Sequence, residues 1–310
     1  MKKKISILIP LFNEKESIKK IYINVYDVIK NISAKYDYEI IFLDNNSNDG
    51  SYEICKEISE NNDSIKIIKL SRNFGYQSNI LAGYDNCVGD CAITIHCDGQ
   101  DDPKYILDFI NMWENGYDVV YGIIKTRKDN FFLKIIINIF YKLLNYTSDI
   151  SIPMNAGDFR LVNRRVLNHV KNFKEKNIFL RGVLFYVGFN QIGLEYDRKE
   201  RLEGHSKFSL MQYFDFGQNG ILSFTKFPLK FIAVFGFIVL TTNIILILYY
   251  LYLYFAGAIT QPGFTTLVLV FLMSFSMIIF FLGIISLYVG QIIDEVKNRP
   301  RYIIDEKSKF

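Results

Sequence analysis

Between Lys230 and Asp294 the chain carries no charged residue, a run covering residues 231–293. That is too long for one core helix and long enough for two membrane crossings, each of which needs about 20 mostly apolar residues. The first crossing is predicted over 231–255 and the second over 264–290. Between them, Ala256-Gly257-Ala258-Ile259-Thr260-Gln261-Pro262-Gly263 reads as an uncharged turn. Basic residues gather on both flanks: Lys207, Lys226 and Lys230 before the run, then Lys297, Arg299 and Arg301 after it. The connecting turn has none, so the positive-inside rule places both flanks in the cytoplasm. The expected division is a cytoplasmic domain over 1–204, an amphipathic juxtamembrane segment over 205–230, the hairpin over 231–293 and a cytoplasmic tail over 294–310.

The residues before the hairpin suffice for one large domain. A formal net charge of +4 is too modest to suggest a nucleic-acid partner. The basic start Met1-Lys2-Lys3-Lys4 is followed by an apolar run too short for a cleaved signal. Cys55, Cys87, Cys91 and Cys97 form no CxxC pair and are expected to be reduced, buried thiols.

Short apolar runs alternate with helical patterns through the first 120 residues. Strands are predicted at Ile5–Leu11, Tyr38–Leu43, Ile65–Leu70, Cys91–Cys97 and Asp118–Tyr121, with helices over 15–33, 51–61, 76–87 and 103–115. That alternation implies an α/β domain with a mostly parallel sheet covered on both faces. Such sheets bind ligands outside the carboxyl ends of their strands. Polar residues cluster there: Asn13 and Glu14 after the first strand, Asp44 after the second, Arg72 and Asn73 after the third, and Asp98, Gln100 and Asp101 after the fourth. The segment Phe131–Leu144 suits core packing and a membrane-surface position equally. Phe208–Phe227, rich in Phe and Tyr, is a second surface element.

Thr94-Ile95-His96-Cys97-Asp98-Gly99-Gln100-Asp101-Asp102-Pro103 carries the strongest chemical signal. Hard divalent cations take oxygen ligands, often one or two carboxylates plus substrate phosphates. Asp101 and Asp102 before Pro103 also suit a helix N-terminus. That role is assigned to Asp102, and cation binding to Asp98 and Gln100. Gly157-Asp158-Phe159-Arg160 reads either as a structural ion pair or as part of a site. Arg198-Lys199-Glu200-Arg201-Leu202-Glu203-Gly204-His205-Ser206-Lys207 reads either as a solvated loop or as a clamp on phosphates.

In this order, these motifs resemble the membrane-bound polyprenyl-phosphate glycosyltransferases of inverting glycosyltransferase family 2. That group includes dolichyl-phosphate mannose synthases and bacterial undecaprenyl-phosphate glycosyltransferases. Ile9-Pro10-Leu11-Phe12-Asn13-Glu14 is similar to the family's P-x-[YF]-N-E, and Asp44 to Asp49 to its D-D-G-S-x-D region. Ser71-Arg72-Asn73-Phe74-Gly75 and Ala156-Gly157-Asp158-Phe159-Arg160-Leu161 match without change. Arg198, Arg201, Gly204, Ser206 and Lys207 match R-x-x-R-x-x-G-x-S-K, and the hairpin and Arg299-Pro300-Arg301-Tyr302 also fit.

The resemblance implies a GT-A fold, a nucleotide-sugar donor, expected to be UDP-linked, a Mg²⁺ or Mn²⁺ ion and undecaprenyl phosphate as acceptor. Transfer would proceed with inversion and feed cell-envelope glycans such as lipopolysaccharide or cell-wall polymer, at the bacterial inner membrane. Pro10, Asn13, Glu14, Asp44, Arg72, Asn73, Arg198 and Lys207 would bind the donor. Asp98, Gln100 and His96 would take the metal positions. Lys125, Arg127 and Lys128 would hold the acceptor phosphate, and Asp158, Arg201 and Asp98 would act at the reaction centre. Asp158 is expected to orient the sugar or a cation, with general base the lesser role.

The chain departs from the pattern at His96, where Asp is usual, and at Asn45 and Asn46, which replace Asp-Gly. Gly99 and Asp102 replace Leu and Pro. A homo-oligomer and a flippase partner are compatible with this reading. The rivals are a polysaccharide or glycolipid synthase of the same fold and a non-enzymatic flippase adaptor. The first usually needs a Q-x-x-R-W motif that the single tryptophan, Trp113, does not supply.

Overall fold

The computed structural model describes residues 2–125, 141–142, 145–148, 152–176, 178–199, 224–225, 227–256 and 263–310. Arg127, Lys128, Arg201 and Lys207 lie outside them, as do nearly all of Phe131–Leu144 and Phe208–Phe227. The chain divides into two units, Met1–Ser223 with Arg299–Phe310, and Phe224–Asn298.

The first unit is built on a mixed sheet of order β7-β5-β6-β4-β1-β2-β3-β8. The strands are β1 Lys4–Leu11, β2 Asp37–Asp44, β3 Ile65–Leu70, β4 Cys91–Thr94, β5 Val119–Ile124, β6 Ala156–Asn163, β7 Gln191–Tyr196 and β8 Ile304–Ser308. The central four run parallel, as their apolar, doubly buried sequences predict. Helices α1 Ile18–Lys30, α2 Ser51–Glu60, α3 Tyr76–Asn86 and α4 Tyr105–Glu114 fill the crossovers. α1 buries Ile18, Ile21, Val25 and Ile29, a helical repeat on one face. Two shorter helices follow, α5 Arg164–Val170 and α6 Leu180–Tyr186. This is the expected GT-A architecture.

Register sets where chemistry gathers. Leu11 pairs with Asp44, so β1 and β2 end level, while Thr94 pairs with Leu8. β4 therefore stops short of the predicted Cys97, and His96 to Gln100 form a loop beside the ends of β1 and β2. On the other flank, β6 runs antiparallel between β4 and β5, an arrangement that alternation alone does not predict.

After the hairpin the chain returns to the same sheet. β8 pairs antiparallel with β3 and covers its edge. The Tyr302 hydroxyl donates to Asp85 Oδ2 at 2.7 Å, Arg301 lies 3.5 Å from the same carboxylate, and Arg301 Nη1 donates to Phe173 O at 2.7 Å. Truncation after Asn298 is expected to lower the melting temperature and promote aggregation, because β3 would present an unpaired apolar edge. Fluorimetry and light scattering on the truncated protein test this; unchanged melting and monodispersity would show that the tail adds nothing to the fold.

The second unit holds α7 Phe227–Phe255 and α8 Phe264–Val296. Both are long and apolar enough to cross a membrane, with mean hydropathy 2.2 over Phe227–Leu246 and 2.5 over Val270–Val296. They touch through Phe235 and Phe281, edge to face at 5.6 Å. The Tyr288 hydroxyl donates to Thr225 O at 3.1 Å. At 1.5 Å per residue, the 33 residues of α8 exceed the roughly 30 Å of a hydrocarbon core, and its charged residues Asp294 and Glu295 lie in its last turn.

Candidate active site

Three loops meet at the carboxyl ends of β1, β2 and β3. Asn13 and Asn46 take left-handed backbone conformations (φ 55° and 62°), which Asn tolerates better than most residues. Asn13 N donates to Ser47 Oγ and Asn13 Oδ1 accepts from Asn48 N, both at 2.9 Å. Glu14 N donates to Ser51 Oγ at 2.9 Å. Asp44 is fully buried and accepts from Ser47 N at 3.1 Å; burial raises its pKa above the ordinary carboxylate value.

Asn45 explains itself here. Its Nδ2 donates to Asn73 Oδ1 at 2.9 Å and its Oδ1 accepts from Phe74 N at 2.9 Å. Both halves of the amide are used, which a carboxylate could not do. Shared bonds through Asn45 and Ser47 thus tie Asn13, Asp44 and Asn73 together, while Pro10 pairs with Leu43 in the sheet. Arg72 packs its guanidinium 4.1 Å over the Phe74 ring and remains exposed.

The next loop follows β4. Asp98 is 6% exposed, and its Oδ1 accepts from Gln100 N at 3.1 Å across Gly99, whose φ of 72° suits glycine. Gln100 Nε2 donates to Lys199 O at 3.4 Å. Asp102 accepts from Lys104 N at 3.1 Å and pairs with Lys199 at 2.8 Å, as a helix-start residue should. Lys199 N also donates to Gln100 O at 2.9 Å, so the first residues of the Arg198–Lys207 segment dock on this loop.

Asp101, read from sequence only as part of an acidic cluster, is a hub. It is fully buried. Its Oδ1 accepts from the Tyr196 hydroxyl at 2.7 Å and lies 3.9 Å from Arg198 Nε, and its Oδ2 meets His96 Nδ1 at 2.5 Å. The other imidazole nitrogen, His96 Nε2, is 2.7 Å from the Tyr76 hydroxyl. Burial favours neutral forms, yet the Asp101–His96 pairing outweighs it, raising the His96 pKa and lowering that of Asp101. Gly122 makes room for the Tyr196 ring, which a Cβ there would meet at 2.6 Å. Among the described residues no group of three His, Cys, Asp or Glu side chains is placed to hold a metal. All four cysteines are buried and form no disulfide.

The third cluster centres on Asp158. Arg181 grips it with two hydrogen bonds, Nε to Oδ1 at 2.8 Å and Nη2 to Oδ2 at 2.7 Å, and donates to the Tyr141 hydroxyl at 3.3 Å. Arg160, 2% exposed, adds a contact to Oδ1 at 3.3 Å and donates to Gly157 O. Its Nε and Nη1 are buried without hydrogen-bond partners. Burial alone would raise the Asp158 pKa, but the Arg181 charge and its two bonds hold the carboxyl well below the usual range. Such a carboxylate is a poor proton acceptor. Arg181 escaped the sequence reading; its signal is a single charge inside the apolar stretch Ile178–Val187. The Lys125 ammonium lies 4.0 Å from Glu195 and is about half exposed.

The profile described as Glycosyl transferase family 2 matches residues 6–171. The uncharacterized glycosyltransferase YkcC of Bacillus subtilis is 38% identical over 302 residues, 97% of this chain and 93% of its own length. The prophage-derived bactoprenol glucosyl transferase of Shigella flexneri is 32% identical over 315 residues, 99% of each chain. A mannosyltransferase from Pyrobaculum calidifontis, solved with GDP-Man and Mn²⁺, is similar with TM-score 0.48 at 13% identity, covering 66% of this chain and 59% of that one. The family match spans all three loops and the Asp158 strand, and the relatives extend it through the hairpin and tail: this chain belongs to glycosyl transferase family 2 and is a glycosyltransferase.

Proposed function

We propose that this enzyme transfers a sugar from a UDP-sugar to undecaprenyl phosphate with inversion, giving a polyprenyl-phosphate monosaccharide. The observation that carries the reading is the Asp158–Arg181–Arg160 cluster. A glycosyltransferase with a hydroxyl acceptor must remove a proton, but here the carboxylate is saturated by arginines and held anionic. A phosphate monoester needs no such help. Its second pKa is about 6, so it is largely dianionic at cytoplasmic pH and already nucleophilic. The bactoprenol acceptor in the names of full-length relatives fits this chemistry.

A phosphate oxygen lone pair attacks the anomeric carbon, and the bond from that carbon to the diphosphate oxygen breaks. The electron pair leaves with UDP, and in-line geometry inverts the centre. Two phosphate-bearing substrates repel each other, so positive charge must gather where they meet. Arg181, oriented by Asp158, supplies it on the described side, and Arg198 stands beside the Asp98–Gln100 loop. Arg127, Lys128, Arg201 and Lys207 are proposed to add to it, with Arg201 nearest the reacting groups. Lys125, about half exposed beside Glu195, is proposed to join them. Asp98 and Gln100 offer hard oxygen ligands, and a Mg²⁺ or Mn²⁺ ion held there would neutralise the diphosphate. Pro10, Asn13, Glu14, Asp44, Arg72 and Asn73 are proposed to seat the nucleotide.

The hairpin explains how a lipid acceptor is reached. Strands before and after it lie in one sheet, so any crossing must occur an even number of times and both flanks share a side. Lys230, Lys297, Arg299 and Arg301 flank an uncharged connection, which favours the cytoplasmic side of the bacterial inner membrane. The test is a donor panel: purified full-length protein, undecaprenyl phosphate, several nucleotide sugars, and mass spectrometry with NMR of the anomeric proton in the lipid product. A single glycosyl phosphate of inverted configuration is expected. Retention, or transfer only to hydroxyl acceptors, would overturn the reading.

A further inference from the structure

We propose that His96 is a positioning residue for the Tyr76 hydroxyl, not a metal ligand, and that Tyr76 contacts the transferred sugar between the Asp98 loop and Asp158. The proposal deepens the glycosyl-transfer reading and rests on it.

A histidine coordinates metal through a nitrogen lone pair, and His96 has none to spare. Its Nδ1 meets Asp101 Oδ2 at 2.5 Å and its Nε2 meets the Tyr76 hydroxyl at 2.7 Å. In the neutral ring, Nδ1–H donates to Asp101 and the one lone pair, on Nε2, accepts the tyrosine proton. In the charged ring there is no lone pair. Coordination would require breaking the Tyr76 bond in the first case and losing a proton in the second. The bonded arrangement is anchored from behind: Asp101 is fully buried and tied to the Tyr196 hydroxyl, itself buried on β7. The two rings lie nearly parallel, 4° apart with centroids at 5.5 Å, which further fixes the phenol.

Tyr76 is also well placed to use that support. It opens α3 directly after Gly75, where the Asn45–Asn73 contacts tie the third strand's loop to the second. Its hydroxyl is held at His96, two residues before Asp98, and the charges of Asp158, Asp101, Arg181 and Asp98 all act on it. A sugar bridging the departing diphosphate near Asp98 and an acceptor phosphate near Arg181 must lie across that interval. Tyr76 thus extends the His96–Asp101 chain of contacts toward the sugar, and the protein's own share of the cation site reduces to Asp98 and Gln100.

The experiment compares His96→Gln, Tyr76→Phe and the double variant in full-length enzyme. Mn²⁺ affinity in the presence of UDP is read by electron paramagnetic resonance of the free ion, alongside donor KM, kcat and melting temperature. Each single variant is expected to keep Mn²⁺ affinity within about twofold and to lose about tenfold in kcat/KM, the scale of one hydrogen bond. The double variant should be no worse than the singles by more than about twofold, because both break one chain of contacts. A tenfold or greater loss of Mn²⁺ affinity in His96→Gln alone would make His96 a ligand and overturn the proposal. So would full activity of Tyr76→Phe, which also decides the matter if His96→Gln folds poorly. Absence of Mn²⁺-dependent UDP binding in the unaltered enzyme would instead remove the donor reading on which both rest.

Discussion

Asp98→Asn is expected to slow sugar transfer by about a hundred- to a thousandfold, the loss seen when about 3–4 kcal/mol of preorganised charge stabilisation is removed from a transition state. The substitution is nearly isosteric. Asn keeps an oxygen able to accept from Gln100 N, the contact that shapes the turn across Gly99. Melting should therefore shift by no more than about 2 °C. What is lost is the charge of a carboxylate in the loop after β4, where the departing diphosphate needs a counter-charged partner. Asp102→Asn is the control. Its carboxylate pairs with Lys199 and starts the turn into α4, so transfer should fall by less than about threefold, in keeping with a partly exposed ion pair. Transfer rate and thermal melting measured together decide it. Near-normal activity of Asp98→Asn with either Mg²⁺ or Mn²⁺ would remove this loop from cation binding.

The contrast between those two aspartates shows what sequence makes legible. β1 to β4 and their helices repeat strong local signals, so Asp44 closes β2 and Asp98 falls in the loop that follows β4, because strand length is set by apolar runs. The two long apolar helices are equally plain, since 231–293 carries no charged residue. Where local signal is weak, position comes from elsewhere. Ile304-Asp305-Glu306-Lys307-Ser308 is mostly polar and becomes a strand only because β3 offers an unpaired edge. β6 carries Asp158 and Arg160 in a strand interior, so its motif reads as chemistry and hides its secondary structure. His96 is the sharpest case. Its spacing from Asp98 gives it a metal-ligand position, but whether its nitrogens are already used depends on Tyr76, twenty residues upstream, and Asp101. Arg181 depends likewise on a contact with Asp158 made across 23 residues.

Arg181→Ala should produce the other large effect, and it should act on stability and catalysis together. Removing the guanidinium leaves a largely buried Asp158 with Arg160 at 3.3 Å as its remaining cationic contact. Breaking one side of a buried pair costs about 3 kcal/mol, enough to lower melting by several degrees. Transfer should fall by more than about a hundredfold, because the acceptor phosphate loses a cation and Asp158 is left facing it as a like charge. Arg181→Lys should rescue stability only in part, since an ammonium cannot make the two parallel bonds that Arg181 makes.

Acid separates the roles of Asp158. Its folded pKa lies below its unfolded value of about 3.9, so its stabilising contribution is complete above that value and disappears as pH falls through the folded pKa. The unaltered protein should lose stability more steeply below about pH 4 than Asp158→Asn, which has no carboxyl to protonate. The acidic limb of the transfer rate should sit elsewhere, near pH 6, where the acceptor phosphate takes up its second proton. Asp158→Asn should lower the rate yet leave that limb in place, because the titrating group belongs to the substrate. Disappearance of the limb in Asp158→Asn would mean that Asp158 accepts the proton after all, and the arginine-saturated carboxylate would have to be freed during the reaction.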